Sequence, residues 1–369
     1  MAHRRLPALD GLRGLAVLLV FSLHVGGGAH SSFLPLRVIG EICNQGWTGV
    51  TLFFILSGFL ITGILWDSRG EPHWWRNFYT RRMLRIFPLY YGSLLAVLVA
   101  AALAGTFSIA LSRIWSPLLF LQDIPGRAAA CINYDGSPLQ LSHFWSLAVE
   151  EQFYIVWPFL LLLPKTKRAA LSLCTVIFVL SELLLLSHWT RLGIEQHLPL
   201  VFTRAAEMAA GAWLAIAYRT RLWNHLRRPA QFAAVLGLAL FILGAYSGYA
   251  RFGPLCLPAI TLCYAALLVL SLHQGLVGRA LSTRLIRWIG TISYGIYVYH
   301  VLLGHLFETA AVRIAGSAQG DLFHLVLIAI STIGTLLISW LSFQYFERPF
   351  LRRKRYYPTA GAVDSAPAH

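Results

Sequence analysis

The sequence is poor in charged side chains. Asp, Glu, Lys and Arg make up 12% of its 369 residues and hydrophobic residues 57%, whereas soluble domains hold roughly 25% and 45–50%. A soluble globular fold would have to expose much of this apolar material to water, so that class is excluded. Among the charged residues the acidic ones are fewer, 15 against 30 Lys and Arg, which gives a net charge of +15. Because the basic residues lie in short segments between apolar runs, we assign them to membrane head groups and predict no nucleic-acid partner.

Cysteine is also scarce, and the five cysteines lack the close spacing of a metal-binding motif, so we predict no metal site. Cys174, Cys256 and Cys263 fall in predicted spans, where they pack as small apolar residues. Cys43 and Cys131 fall in predicted outside loops. They are either bonded to each other or two free thiols.

The apolar residues come in long runs, as membrane-spanning helices require. We predict about ten spans, at residues 11–29, 47–66, 87–105, 144–163, 169–187, 198–217, 230–248, 254–272, 289–311 and 322–346. The predicted fold class is an all-α integral membrane protein in a lipid bilayer. Residues 1–350 form one transmembrane domain and residues 351–369 a basic, then disordered tail. We expect no soluble catalytic domain, so the chemistry falls to the membrane helices.

The Lys and Arg residues predict the orientation of the chain. With ten spans, 22 of them lie on the side of the two termini, 6 on the other side and 2 inside spans. Loops on the cytoplasmic side carry the positive excess in membrane proteins. Both termini are therefore predicted to be cytoplasmic.

The first span carries Arg13 and His24, and ionisable groups inside a span are costly enough to be functional candidates. Eleven residues of helix return these two side chains to nearly one face, roughly 16 Å apart along the axis. A neutral imidazole accepts a proton from a hydroxyl near pH 7, so His24 is the candidate general base. The alternative is a histidine that bonds a neighbouring helix for packing alone.

The fourth span brings two carboxylates, Glu150 and Glu151, to about the predicted depth of His24. A carboxylate beside an imidazole fixes its tautomer and stabilises the imidazolium that forms during proton transfer. Adjacent helical residues point about 100° apart, so both cannot serve one partner, and we assign Glu150. The alternative is a carboxylate pair that faces water at the interface.

Two further spans carry polar groups. Arg204 and Glu207 are three residues apart and can pair on one helical face, either at a substrate or as a structural ion pair. Tyr297 and His300 fall near the middle of the ninth span, either at a substrate or in a hydrogen-bonded packing cluster. The candidate substrate-binding residues are Glu151, Ser146, Arg204, Glu207, Tyr297 and His300.

Three arginines, Arg81, Arg82 and Arg85, lie just before the predicted third span. If this segment is helical, their three- and four-residue spacings bring them to one side. Guanidinium groups bind phosphate bidentately, and the pyrophosphate and 3′-phosphate of coenzyme A would fit them. The alternative is anchoring to lipid head groups.

Taken in order, these motifs resemble a known family. They are Arg13-x10-His24 within Leu-Asp10-Gly-Leu-Arg-Gly, the Gly49–Gly58 stretch, Arg81-Arg82-x-x-Arg85-Ile-x-Pro88, Trp145-Ser146-Leu-x-Val-Glu150-x-Gln-Phe-Tyr154, Arg204-x-x-Glu207-x-x-x-Gly211 and Ser293-Tyr-x-x-Tyr297-x-x-His300. This set is similar to the membrane-bound acyltransferase family 3, which includes bacterial O-antigen O-acetylases and macrolide O-acyltransferases. The resemblance covers residues 5–350. It implies a ten-helix domain that uses cytoplasmic acetyl-CoA or a related acyl-CoA, with His24 and Arg13 essential.

We therefore expect an O-acyltransferase of the bacterial inner membrane. It would move an acyl group, with acetyl expected, from cytoplasmic acyl-CoA to a hydroxyl of a lipid-linked or cell-surface carbohydrate. Some family members carry an SGNH-type hydrolase domain, which we do not expect here, and no oligomeric state follows from the sequence. Two alternatives stay open: an acceptor in the cytoplasm, such as a macrolide sugar, and a non-enzymatic transporter that uses Arg204, Glu207 and His300 as its path.

Overall fold

The computed structural model describes residues 6–26, 34–124, 139–189, 199–246, 253–273, 275–318 and 320–359, and these residues form helices without strands. Cys131 and most of the predicted disordered tail lie outside the described residues, so the predicted disulfide and disorder stay predictions.

The helices are numbered in chain order. They are α1 Pro7–Gly26, α2 Leu34–Asn44, α3 Thr48–Asp67, α4 Trp74–Leu103, α5 Phe107–Arg113, α6 Trp115–Leu118, α7 Trp145–Leu162, α8 Lys167–Trp189, α9 Leu200–Thr203, α10 Ala205–Ala217, α11 Arg227–Tyr246, α12 Gly253–Leu272, α13 Leu276–Leu281, α14 Arg284–Thr291, α15 Ser293–Leu302, α16 Gly304–Ala315, α17 Asp321–Ser342 and α18 Arg348–Arg352. One turn of π-helix, Phe343–Glu347, joins α17 to α18.

The helical membrane class is confirmed. Within the described ranges, seven helical segments are long and apolar enough to cross a membrane. They are Pro7–Gly26, Leu34–Asp67, Trp74–Leu103, Lys167–Ser187, Arg227–Ala245, Leu255–Leu272 and Asp321–Tyr356. The count of ten spans and the cytoplasmic termini stay predictions.

Two predicted spans are broken helices. The sixth is interrupted at Arg204, which separates α9 from α10. The ninth is divided at Ile292 and Leu303 into α14, α15 and α16. Breaks free backbone groups from the helical ladder, so inside a membrane they are tolerated where protein or a cavity surrounds them.

The third predicted span is longer than its apolar run. Helix α4 begins at Trp74, and Pro88 lies inside it. The segment with Arg81, Arg82 and Arg85 is therefore helical, as the predicted convergence of these side chains requires.

Helices α3 and α10 approach each other closely in the core. A Cβ atom added to Gly58 would lie 2.0 Å from the Met208 carbonyl oxygen, and one added to Gly211 would lie 1.9 Å from the Ile55 carbonyl oxygen. Only glycine permits this approach, so the small residues of the Gly49–Gly58 stretch do bring two helices together. This contact fixes α3, which forms one wall of the candidate site.

Candidate active site

A cavity of about 90 Å³ lies among α1, α3, α4, α7 and α15. Apolar side chains, including Phe53, Phe54 and Ile61, form much of its wall. Its polar lining consists of three guanidinium groups, one carboxylate and six hydroxyls, from Arg13, Arg82, Arg85, Glu150, Ser57, Ser146, Tyr154, Ser293, Tyr294 and Tyr297. An apolar wall with few convergent polar groups is typical of a ligand site.

Arg13, Arg82 and Arg85 form what we call the arginine end of the site. The three guanidinium groups lie close enough to act on one another electrostatically. Arg13 is 3.6 Å from the carboxylate of Asp10, and the Arg82 guanidinium lies 5.5 Å from the centre of the Tyr154 ring. This cluster of permanent positive charge suits an anionic ligand.

Arg81 is not among the residues that line this cavity. Its guanidinium donates to the backbone carbonyls of Lys354 at 2.9 Å and Tyr357 at 3.0 Å. Neighbouring helical residues point about 100° apart, so Arg81 turns away while Arg82 faces the cavity. Two of the three predicted donor-binding arginines, Arg82 and Arg85, thus line the cavity. Arg13 lines it in place of Arg81.

The carboxylate of Glu150 is held by hydroxyl groups. Ser57 Oγ donates to Glu150 Oε1 at 2.5 Å, and Tyr154 Oη donates to Ser57 Oγ at 3.1 Å. The sequence motifs contain Ser57 and Tyr154, but they were not predicted as site residues. This chain of hydroxyls keeps Glu150 on the cavity wall.

The predicted pairing of Glu150 with His24 is wrong. The Nδ1 atom of His24 bonds the carbonyl oxygen of Val20 on its own helix at 2.9 Å, and Glu150 bonds Ser57. The position of a residue along a helix gives no information on the direction in which its side chain points around the axis. A backbone carbonyl, that of Val20, therefore fixes the His24 imidazole, where the carboxylate of Glu150 was expected to do so.

Three imidazoles, those of His24, His300 and His143, form what we call the histidine end. The ring centres of His24 and His300 are 4.9 Å apart, and those of His300 and His143 are 5.2 Å apart. His24 is exposed, whereas His300 and His143 are only 2% and 5% exposed. His143 was not predicted as a site residue, although its place just before the Trp145–Tyr154 motif was an available signal.

The hydrogen bonds of the histidine end fix its tautomers. His300 Nδ1 lies 2.7 Å from the Tyr297 carbonyl, and His24 Nδ1 bonds a carbonyl in the same way. A carbonyl oxygen only accepts, so Nδ1 carries the proton in both rings, and Nε2 of a neutral ring is basic. Among the described residues, His300 Nε2 has no hydrogen-bond partner.

Tyr297 connects the two ends. Its ring lines the cavity, its hydroxyl donates to the His143 carbonyl, and the Ser146 hydroxyl lies 2.7 Å from that oxygen. Because the tyrosine proton goes to the carbonyl, Ser146 donates to Tyr297. Ser146, Tyr297 and His300, three predicted substrate-binding residues, are therefore brought together.

Ser146 and Tyr297 line the cavity, whereas the predicted substrate-binding residues His300, Arg204, Glu207 and Glu151 do not. Arg204 and Glu207 form an ion pair at 2.6 Å, with Glu207 completely buried. The Arg204 guanidinium lies 5.9 Å from the Phe54 ring, one side chain away from the cavity. Glu151 is 8% exposed, and its Oε1 atom has no partner within the described part of the chain.

Comparison with known proteins identifies the family of this fold and site. Residues 6–343 match the family described as an acyltransferase domain. The chain belongs to this acyltransferase family. The predicted resemblance is thus confirmed.

Curated relatives are bacterial. This acyltransferase is 28% identical, over 94% of its length, to the peptidoglycan O-acetyltransferase OatA of Listeria monocytogenes. It is 29% identical, again over 94% of its length, to YrhL of Bacillus subtilis, to which the same activity is provisionally assigned. The chain spans about half the length of these relatives, 56% and 55% respectively. No solved structure matches it.

Proposed function

We propose that this acyltransferase moves an acetyl group from cytoplasmic acyl-CoA to a sugar hydroxyl of a cell-wall or lipid-linked glycan, in the bacterial inner membrane. The observation that carries the proposal is a cavity lined by clustered guanidinium groups and by Tyr297, whose ring lies beside the His300 imidazole. The family supports acyl transfer. The names of the relatives, which act on peptidoglycan, support a glycan acceptor.

The arginine end is the proposed place for the phosphates of the donor. Coenzyme A carries a pyrophosphate and a 3′-phosphate, and guanidinium forks bind such groups with two parallel hydrogen bonds. The pantetheine arm is apolar enough to lie along Phe53 and Ile61. This path directs the thioester towards Ser146 and Tyr297.

His24 is the proposed general base. Its Nε2 takes the proton of the acceptor hydroxyl, and the hydroxyl oxygen bonds to the thioester carbonyl carbon. The carbon–sulfur bond then breaks, and the proton held by His24 passes to the departing thiolate. His300, whose ring lies beside His24, supports this histidine in the role we had predicted for Glu150. Glu150 contributes at the donor, through Ser57 and Tyr154.

The test is acyl transfer by the purified full chain in detergent. We expect radiolabelled acetyl-CoA to lose its label to soluble peptidoglycan fragments, with one free thiol released for each ester formed. A chain that binds acetyl-CoA but acetylates a macrolide sugar and no glycan would contradict the acceptor. A folded chain that binds and consumes no acyl-CoA of any length would contradict the proposal as a whole.

A further inference from the structure

The chain after α17 turns back towards the arginine end. It passes through the π-helical turn Phe343–Glu347 and the short helix α18. Residues 353–358, which we call the C-terminal strap, then pack against α4. A π-helical turn is an unusual backbone feature that is frequent at functional sites.

Side chains of α4 hold the backbone of the strap in place. Asn77 Nδ2 donates to the carbonyl of Pro358 at 2.7 Å. Arg81 Nη1 donates to the carbonyls of Lys354 and Tyr357. Three hydrogen bonds, two of them from a charged donor, fix the path of the strap across the same helix that carries Arg82 and Arg85.

One cation of the strap faces inward. Lys354 is half-buried, whereas its neighbours Arg353 and Arg355 are exposed. The charges that act most strongly on the Lys354 ammonium are all positive, and they are the guanidinium groups of Arg85, Arg82, Arg81 and Arg13. The strap thus places a fourth cation near the arginine end, although Lys354 itself does not line the cavity.

This arrangement is unfavourable for the protein alone. Like charges repel most strongly where water is partly excluded. The lysine side chain is long and flexible, and it ordinarily carries its ammonium out to water. An ammonium held instead among guanidinium groups is stabilised when a ligand with several negative charges binds between them.

We propose that Lys354 is a donor-binding residue, whose ammonium completes with Arg82 and Arg85 a site for the phosphate groups of the acyl donor. The inference rests on the proposed function, in which that donor is acyl-CoA. The arginines bind phosphate bidentately and the lysine acts as a point charge. Arg81 is the positioning residue, since it holds the strap. The family match ends at residue 343, before the strap begins.

Calorimetric titration of the full chain in detergent with acetyl-CoA tests the proposal. We expect Lys354→Gln to weaken binding about 10-fold and to raise KM for the donor without changing kcat. Arg353→Gln removes the same charge from an exposed position of the strap and should leave both values unchanged. Arg353→Gln should unfold at the wild-type temperature, and Lys354→Gln at that temperature or above it, because it removes a repelled cation. Equal affinity of Lys354→Gln and wild type, or an equal loss in both variants, would overturn the proposal.

A double-mutant cycle tests the role of Arg81. Arg81→Met should weaken donor binding in the wild type and add little in the Lys354→Gln background, because its effect passes through the lysine. Full additivity would overturn the positioning role.

Three other outcomes separate this inference from its alternatives. A wild type that binds no acyl-CoA would overturn both it and the proposed function. Loss of binding in Arg82→Gln, with normal binding in Lys354→Gln, would overturn the inference alone. If Lys354→Gln changes only the retention of phosphatidylglycerol in lipid nanodiscs, the lysine binds a lipid head group and the inference falls.

Discussion

The arginine end and the histidine end of the site satisfy their polar groups in opposite ways. At the arginine end, permanent charges gather around a cavity, and carboxylates such as Asp10 offset only some of them. At the histidine end, the described hydrogen bonds of His24 and His300 go to backbone carbonyls and to no carboxylate. One end therefore offers charge that does not depend on pH, and the other offers bases that gain and lose a proton. In the proposed mechanism, this difference separates anion binding from proton transfer.

The largest effect is expected at the histidine end. Substitution His24→Gln removes the basic Nε2 atom, so transfer should fall at least ~100-fold while acetyl-CoA binding stays unchanged. Transfer of radiolabel and calorimetric titration measure the two properties separately. His305→Gln is the matched control, because His305 is exposed on α16 and should leave both unchanged. Transfer at the wild-type rate by His24→Gln would remove the distinction between the two ends.

A smaller effect is expected at the arginine end, where donor binding and not the transfer step should be weakened. Changing Arg82 and Arg85 together to Gln should weaken donor binding about 50-fold, since two charge-assisted contacts are lost. The rate of transfer at saturating donor should stay near that of the wild type. The difference in donor affinity between the variant and the wild type should shrink at high salt. Arg228→Gln, a change at an exposed arginine, supplies the control. A loss of kcat without a loss of affinity would show that the arginines act in the chemical step.

His300 tests whether the histidine end works as a cluster. Substitution His300→Gln should lower kcat about 10-fold and alter the pH profile of transfer, with donor affinity unchanged. His273 makes the same backbone hydrogen bond, but its ring stacks on Trp223 outside the cavity, so His273→Gln is a close control. Equal small losses in both variants would assign His300 to packing.

The sequence was sufficient for features that depend on local pattern. Apolar runs predicted the membrane helices, and helical spacing predicted that Arg204 would pair with Glu207. It also singled out Arg82, Arg85 and His24, because they are polar groups in or beside apolar segments, and the two arginines do line the cavity.

Contacts between distant segments were not predictable in this way. Asn77 bonds a carbonyl 281 residues away, so nothing local indicates that the strap folds back. The partner of His24 was misassigned because depth along a helix does not give the direction of its side chains around the axis. His143 was missed because its burial is created by α15, which follows more than a hundred residues later.

The smallest effect on transfer is expected for the ion pair of Arg204 and Glu207. Because these residues belong to neither end, Glu207→Gln should leave kcat/KM of the folded protein unchanged. It should instead lower the free energy of unfolding by about 2 kcal/mol, since it leaves a buried guanidinium without its carboxylate. The loss is limited because the Glu182 carboxylate also acts on Arg204.

Thermal unfolding in detergent and transfer per folded molecule measure these two effects of Glu207→Gln. The double change Arg204→Met with Glu207→Leu removes both charges, so it should recover most of the lost stability. Arg204 lies against Phe54, a residue of the cavity wall, so an effect of this pair on transfer can be detected as well as its absence. A variant that is as stable as wild type but inactive would extend the site past Phe54 and restore the predicted contact of this pair with the substrate.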